Sequence, residues 1–290
     1  MHKLVSFILI IIMLISTVGC IHDNEDAKYK VVTSFYPIML LTKMVTEDID
    51  GISVNNLAAP DTGCLHDYTL IPDDLKKLED ADIFIVNGFG MESFTDKISI
   101  QIPDLKTVDL SKGIEPYNNN AHIWLSPENA QKMIATLCYE LVASLPEYSE
   151  QLNANTKKYT NLLIELDNQI KASFDSFDDV GVITCHEAFD YFALQYGLRI
   201  DGTIQREPGE EPTTKELIET TNLINTLGTK ILLAEPQYST TAADTLARET
   251  GAVVYELDPI VTGTNNDLPS VYFDKMKNNL KTLTEAIRKE

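Results

Sequence analysis

Three histidines stand where an α/β protein presents the side chains that bind ligands. Of the five histidines in the chain, His2 and His22 fall in an N-terminal leader and the polar stretch behind it, which leaves His66, His122 and His186. His66 lies in the loop Gly63-Cys64-Leu65-His66-Asp67-Tyr68, His122 just ahead of Ile123-Trp124-Leu125, and His186 at a junction of strand and helix. Two carboxylates share that setting: Asp258 follows the strand AVVYEL and Glu235 ends the strand KILLAE. The loops after the strands of such a sheet are where ligands bind. Three imidazoles and the Asp258 carboxylate make a four-point shell for zinc or a similar divalent ion. The ligands are 56, 64 and 72 residues apart, far too distant for a zinc-finger motif. Only a fold that brings distant loops together can assemble them.

The neighbouring polar residues have plainer readings. Glu235 is expected to support a ligand by hydrogen bonding, with direct ligation as the alternative. Asp67 either orients His66 or caps the helix that follows. Cys185 adjoins His186 on a strand, where successive side chains point to opposite faces, so it reads as packed. Cys64, two residues from His66, could face the same way as that ring; it reads as buried, since that is what cysteines commonly do, with thiolate ligation as the less favoured alternative. The acidic run Glu207-Pro208-Gly209-Glu210-Glu211 reads as a solvated loop.

The pattern that must position these residues is one of short apolar strands alternating with amphipathic helices. Strands are expected at 30–35, 82–88, 181–184, 230–235 and 252–257. Helices are expected from Pro37, Pro72, Pro127, Glu187, Thr213, Thr240 and about Val271. Ser126 before Pro127 is an N-cap signal, and Thr213-Thr214-Lys215-Glu216 is a capping box. Gly197 and Gly228 close two of the helices. This alternation predicts parallel sheets covered on both faces. Between the halves, 146–174 lack glycine and carry apolar residues at helical spacing, which predicts one long helix. The organisation expected is an N-terminal α/β lobe at 30–145, a linking helix at 146–176 and a C-terminal α/β lobe at 177–290.

Ahead of the first lobe, Met1-His2-Lys3 and the apolar run 4–15 form a signal-peptide core, too short to cross a bilayer comfortably. Ser16-Thr17-Val18-Gly19-Cys20 resembles a lipobox. It predicts cleavage after residue 19 and a lipid anchor on Cys20, although Thr17 departs from the usual aliphatic residue. The alternative is an ordinary secretion signal; either way the mature chain is exported. Residues 20–29 then serve as a polar tether. Forty-four acidic against 23 basic residues give a formal charge of −21, a surface that repels phosphate backbones and excludes nucleic acid as a partner. Apart from Cys20 the cysteines are Cys64, Cys138 and Cys185, an odd number that leaves at least one unpaired. Cys138, mid-helix among apolar residues, reads as core.

The context of each ligand carries a resemblance. His66-Asp67-Tyr68, Ala121-His122-Ile123-Trp124-Leu125-Ser126-Pro127 and His186-Glu187-Ala188-Phe189-Asp190-Tyr191-Phe192 are followed by Glu211-Pro212, Glu235-Pro236-Gln237-Tyr238-Ser239 and Leu257-Asp258-Pro259. Six matches in this order resemble the ZnuA/TroA-like metal-binding proteins of ABC importers, over nearly all of the mature length. The resemblance implies that His66, His122, His186 and Asp258 bind the metal between two similar lobes, with the long helix as a stiff spine. It also implies an ABC permease as partner. A histidine at the third position implies zinc, with manganese the alternative cargo. The 115–121 segment has none of the histidines found in the collecting loop of many zinc-type members.

Three classes of function were open to these residues. A binding protein fits the anchor, the two lobes and a shell of four protein ligands, and is expected to act as a monomer held outside the cell membrane. An exported zinc hydrolase needs an open metal position and a general base, and the chain has neither a His-Glu-x-x-His nor a Gly-x-Ser-x-Gly segment. No enzymatic activity is expected. A surface adhesin fits the anchor and leaves the converging ligands without a purpose.

Overall fold

A computed structural model describes residues 27–177, 179–205 and 210–289. The leader, Cys20, most of the tether and Glu207–Gly209 of the acidic run lie outside the described residues. The N-terminal lobe runs β1 (Tyr29–Thr33), α1 (Tyr36–Thr46), β2 (Ile52–Asn56), α2 (Pro72–Glu79), β3 (Ile83–Val86), α3 (Thr95–Gln101), β4 (Lys106–Asp109) and α4 (Pro127–Ser144). Next comes the long helix α5 (Ser149–Phe174). The C-terminal lobe holds β5 (Gly181–Thr184), α6 (Asp190–Tyr196), β6 (Arg199–Thr203), α7 (Thr214–Leu227), β7 (Ile231–Ala234), α8 (Thr241–Thr250), β8 (Val253–Glu256) and α9 (Ser270–Lys289).

Each lobe has one four-stranded parallel sheet, in the orders β2-β1-β3-β4 and β6-β5-β7-β8. The two sheets thus repeat one topology. Three of the four central strands, β3 (IFIV), β5 (GVIT) and β7 (ILLA), are buried at every position, as suits strands covered on both faces, and β1 (YKVVT) is buried over its last three residues.

Helix boundaries follow local chemistry. Ser126 Oγ accepts from Asn129 N–H at the start of α4, which satisfies one of the donors a helix N-terminus leaves unpaired. The Thr213–Glu216 capping box closes reciprocally. Gly197 and Gly228 end α6 and α7 at φ of 76° and 73°, in the left-handed region that glycine enters without cost. The long helix begins later than expected: Pro146–Tyr148 is a 3₁₀ turn. Its 26 residues span about 39 Å at 1.5 Å each. It packs on α1 and α4 of the first lobe and on α6 and α9 of the second. A single apolar cluster runs through both lobes, from Val31 to Ile287.

Hydrogen bonds also tie the lobes together. Trp124 Nε1–H donates to the Pro259 carbonyl at 2.8 Å, and Tyr272 O–H donates back to the Trp124 carbonyl at 2.7 Å. Tyr36 O–H donates to Asp267 at 2.5 Å, and Lys43 donates to the carbonyls of Asn265 and Asp267. Among the described residues no helix is long and apolar enough to cross a membrane.

Candidate metal centre

The sheets deliver the ligand candidates as the sequence requires, at their carboxyl edges. His66 comes from the long loop after β2, His122 from the loop after β4, and His186 lies two residues beyond β5. His66 sits within a turn closed by Tyr68 N–H on the Leu65 carbonyl and is partly buried, whereas His122 and His186 are almost wholly buried. The imidazole rings of His66 and His122 have centroids 5.2 Å apart, and those of His122 and His186 5.0 Å. The structure therefore gathers all three predicted histidines.

Hydrogen bonds fix which nitrogen each buried ring presents. Asn120 Oδ1 accepts from His122 Nδ1–H at 2.9 Å and from the His122 backbone N–H at 2.7 Å. The Asn120 amide is itself oriented, since its Nδ2 donates to the Glu187 carbonyl. Glu235 accepts from His186 Nδ1–H, and Gln237 donates to the other oxygen of Glu235 at 2.8 Å. Both rings therefore carry their proton on Nδ1 and turn a bare Nε2 inward. The two Nε2 atoms lie 3.2 Å apart. At that distance the two nitrogens can share a proton or a metal cation, and metal-binding histidines are oriented by just such bonds on the far nitrogen. Burial, then the neighbouring His186 and His66, holds the His122 pKa well below its ordinary value of 6.5, which keeps this ring neutral and able to ligate.

The remaining predicted residues fall in different places. Glu235 takes the supporting role expected of it. Asp67 is exposed in its turn. Asp258 is not brought into the histidine group. Its Oδ1 accepts from Ile260 N–H at 2.7 Å and its Oδ2 pairs with Lys275. The first of these bonds holds buried Ile260 at φ 61°, a conformation that a β-branched residue rarely adopts. Asp258 thus has a structural task of its own. Cys64, expected to be buried in preference to ligating, has its Sγ 3.4 Å from His122 Nε2 and 3.7 Å from His186 Nε2. Among the described residues, the ligand atoms of Cys64, His66 and His122 lie within 4.8 Å of one another, a group that does not include His186. Cys64, Cys138 and Cys185 are all free thiols. Cys185 is packed as expected, with its pKa pushed up to about 12 by burial. Asn120 escaped the sequence reading, because nothing in the run Asn118-Asn119-Asn120 singles out one member.

Beneath the His122 loop sits a buried turn. Glu92 accepts from the N–H groups of Asn87 and Gly88 at 2.7 and 3.1 Å, and Asn87 Nδ2 donates to the Ala121 carbonyl at 2.8 Å. Burial raises the Glu92 pKa from 4.5 to about 7 despite these bonds. A carboxyl whose folded pKa is raised contributes stability that is present below its unfolded pKa and lost as pH rises through the folded one. Glu92 therefore adds stability as pH falls from 7.5 to 5.5. Glu92→Gln should remove that gain, lowering the stability of metal-free protein at pH 5.5 relative to pH 7.5 by about 2 kcal/mol more than in the unaltered chain. Urea denaturation of both proteins at the two pH values measures this, and parallel pH dependences would refute it.

Two α/β lobes of one topology, a rigid helix between them and imidazoles converging from both define a two-lobed metal-binding protein. The chain matches the family described as ZnuA, zinc-uptake complex component A, periplasmic, over residues 31–286, and it belongs to that family. It is 28% identical over 288 residues to the high-affinity zinc uptake system protein ZnuA of Bacillus subtilis, covering 91% of this chain and 89% of that one. With the zinc-binding protein AdcA of Streptococcus pyogenes it shares 29% identity over 294 residues, covering 89% of this chain and only 56% of AdcA. Among solved structures, the Zn(II)-bound ZnuA-like domain of Streptococcus pneumoniae AdcA superposes with a TM-score of 0.79 at 27% identity. That match covers 90% of this chain and 99% of the domain. The SBP FpvC of Pseudomonas aeruginosa, in complex with Mn2+, superposes with a TM-score of 0.82 at 22% identity, over 90% and 99%, which speaks to the fold.

Proposed function

We propose that this protein captures Zn2+ outside the cytoplasm and hands it to an ABC-type importer, held at the membrane by a lipid on Cys20. The observation that carries the reading is the pair of inward Nε2 atoms of His122 and His186, 3.2 Å apart. Each is turned inward by a hydrogen bond at the opposite nitrogen. His66, whose ligand atom lies within 4.8 Å of those of His122 and Cys64, supplies a third imidazole. Imidazole is a borderline-soft donor that suits zinc, whereas manganese favours oxygen ligands. The zinc for which the ZnuA and AdcA relatives are named supports the same cargo. The lipoprotein named among those relatives supports the anchor. Release to a permease, and no turnover of substrate, completes the reading; metal chemistry here is cargo handling.

The test is a titration of chelator-stripped protein with zinc and with manganese. One tight equivalent of zinc, with much weaker manganese, is the expected result. Equal affinity for both would remove the case for zinc as cargo, and no tight binding of either would sink the site.

A further inference from the structure

We propose that Cys64 supplies the fourth ligand, so that the cargo is held by three imidazoles and one thiolate. This inference rests on the metal-binding reading above and deepens it. Tetrahedral zinc with nitrogen at about 2.0–2.1 Å and sulfur at about 2.3 Å has N–N edges of about 3.3 Å and N–S edges of about 3.5 Å. The observed separations are 3.2 Å between the two Nε2 atoms, and 3.4 and 3.7 Å from Cys64 Sγ to each of them. Cys64, His122 and His186 thus already outline one triangular face of the tetrahedron. His66, whose ligand atom lies within 4.8 Å of those of Cys64 and His122, is the candidate for the remaining corner.

The backbone makes room for this. Gly63 takes φ +87°, a region glycine enters freely, and the chain turns there immediately ahead of Cys64. A Cβ on Gly63 would meet the Tyr238 hydroxyl at 3.3 Å. Tyr238 also packs edge-on against the His186 ring. The Asp258 carboxylate, the natural competitor for the fourth position, is committed to Ile260 and Lys275.

On binding, the Cys64 S–H bond gives way to an S–metal bond and its proton passes to solvent, with no change of oxidation state. A thiolate is a soft donor that favours zinc and disfavours manganese. It gives this chain a selectivity that three imidazoles and a carboxylate would not.

Cobalt(II) reports the ligand directly, because a thiolate bound to it adds an intense near-ultraviolet charge-transfer band. Metal-stripped full-length protein titrated with Co2+ is expected to show that band together with visible bands of a tetrahedral ion. Cys64→Ser should lose the near-ultraviolet band, keep cobalt binding, and lower zinc affinity by roughly 10-fold or more, with a smaller loss for manganese. A band that persists in Cys64→Ser overturns the proposal. So does bound cobalt without the band in the unaltered protein, or zinc affinity that falls in Asp258→Asn while Cys64→Ser retains it. Failure to bind cobalt or zinc at all would instead remove the metal site itself.

Discussion

Replacing His186 with alanine is expected to lower zinc affinity by more than ~100-fold. Supporting residues around a metal typically contribute 10- to 100-fold, and a direct ligand contributes more. His186 holds its position by two means that alanine would lose, burial against the lobe core and the bond from Nδ1 to Glu235. Its removal leaves Glu235, which is equally buried, without its principal partner. Glu235→Ala is the informative comparison. It keeps the imidazole and frees the ring to rotate or change tautomer, so its loss should fall within 10- to 100-fold. Competition titration against a zinc chelator of known affinity measures both. Equal effects of the two substitutions would mean that Glu235 ligates directly, the alternative that the sequence left open.

Zinc should also raise the melting temperature strongly. A ligand that binds only the folded state at 1,000 times its Kd stabilises that state by about 4 kcal/mol. For a chain of this size each kcal/mol shifts Tm by roughly 2–4 °C, so the rise should be about 8–16 °C and chelator should reverse it. Manganese at the same concentration should give a smaller rise. Calorimetry provides the check, and an unchanged curve in excess zinc would exclude a site built across the core. One apolar cluster spans both lobes, so metal-free and metal-loaded protein should each melt in a single transition.

The central strands and most helices were legible because their chemistry is local. The runs IFIV, GVIT and ILLA are almost wholly apolar, and Ser126, Thr213, Gly197 and Gly228 are punctuation written in single residues. The segments that escaped were the short helix α3 and the strands β2 (ISVNN), β4 (KTVD) and β6 (RIDGT). Each of β2, β4 and β6 lies at the edge of its sheet, where half of the strand faces water and polar residues are tolerated, so periodicity fades. The three histidines were legible from their place after strands. The surroundings of Cys64 and Asp258 were not, because they depend on side-chain direction. Asp258 points to Lys275 and Ile260, and Cys64 stands against two imidazoles from different loops. No spacing along the chain encodes either.

The unequal burial of the three imidazoles has a kinetic meaning. His122 and His186 are sealed in the interior, while His66 rides on a turn at the rim beside exposed Asp67. With His66 as the proposed third ligand, solvent reaches the ion first on that side of the group, because the other two rings are covered. A permease that takes the ion would be expected to approach it there.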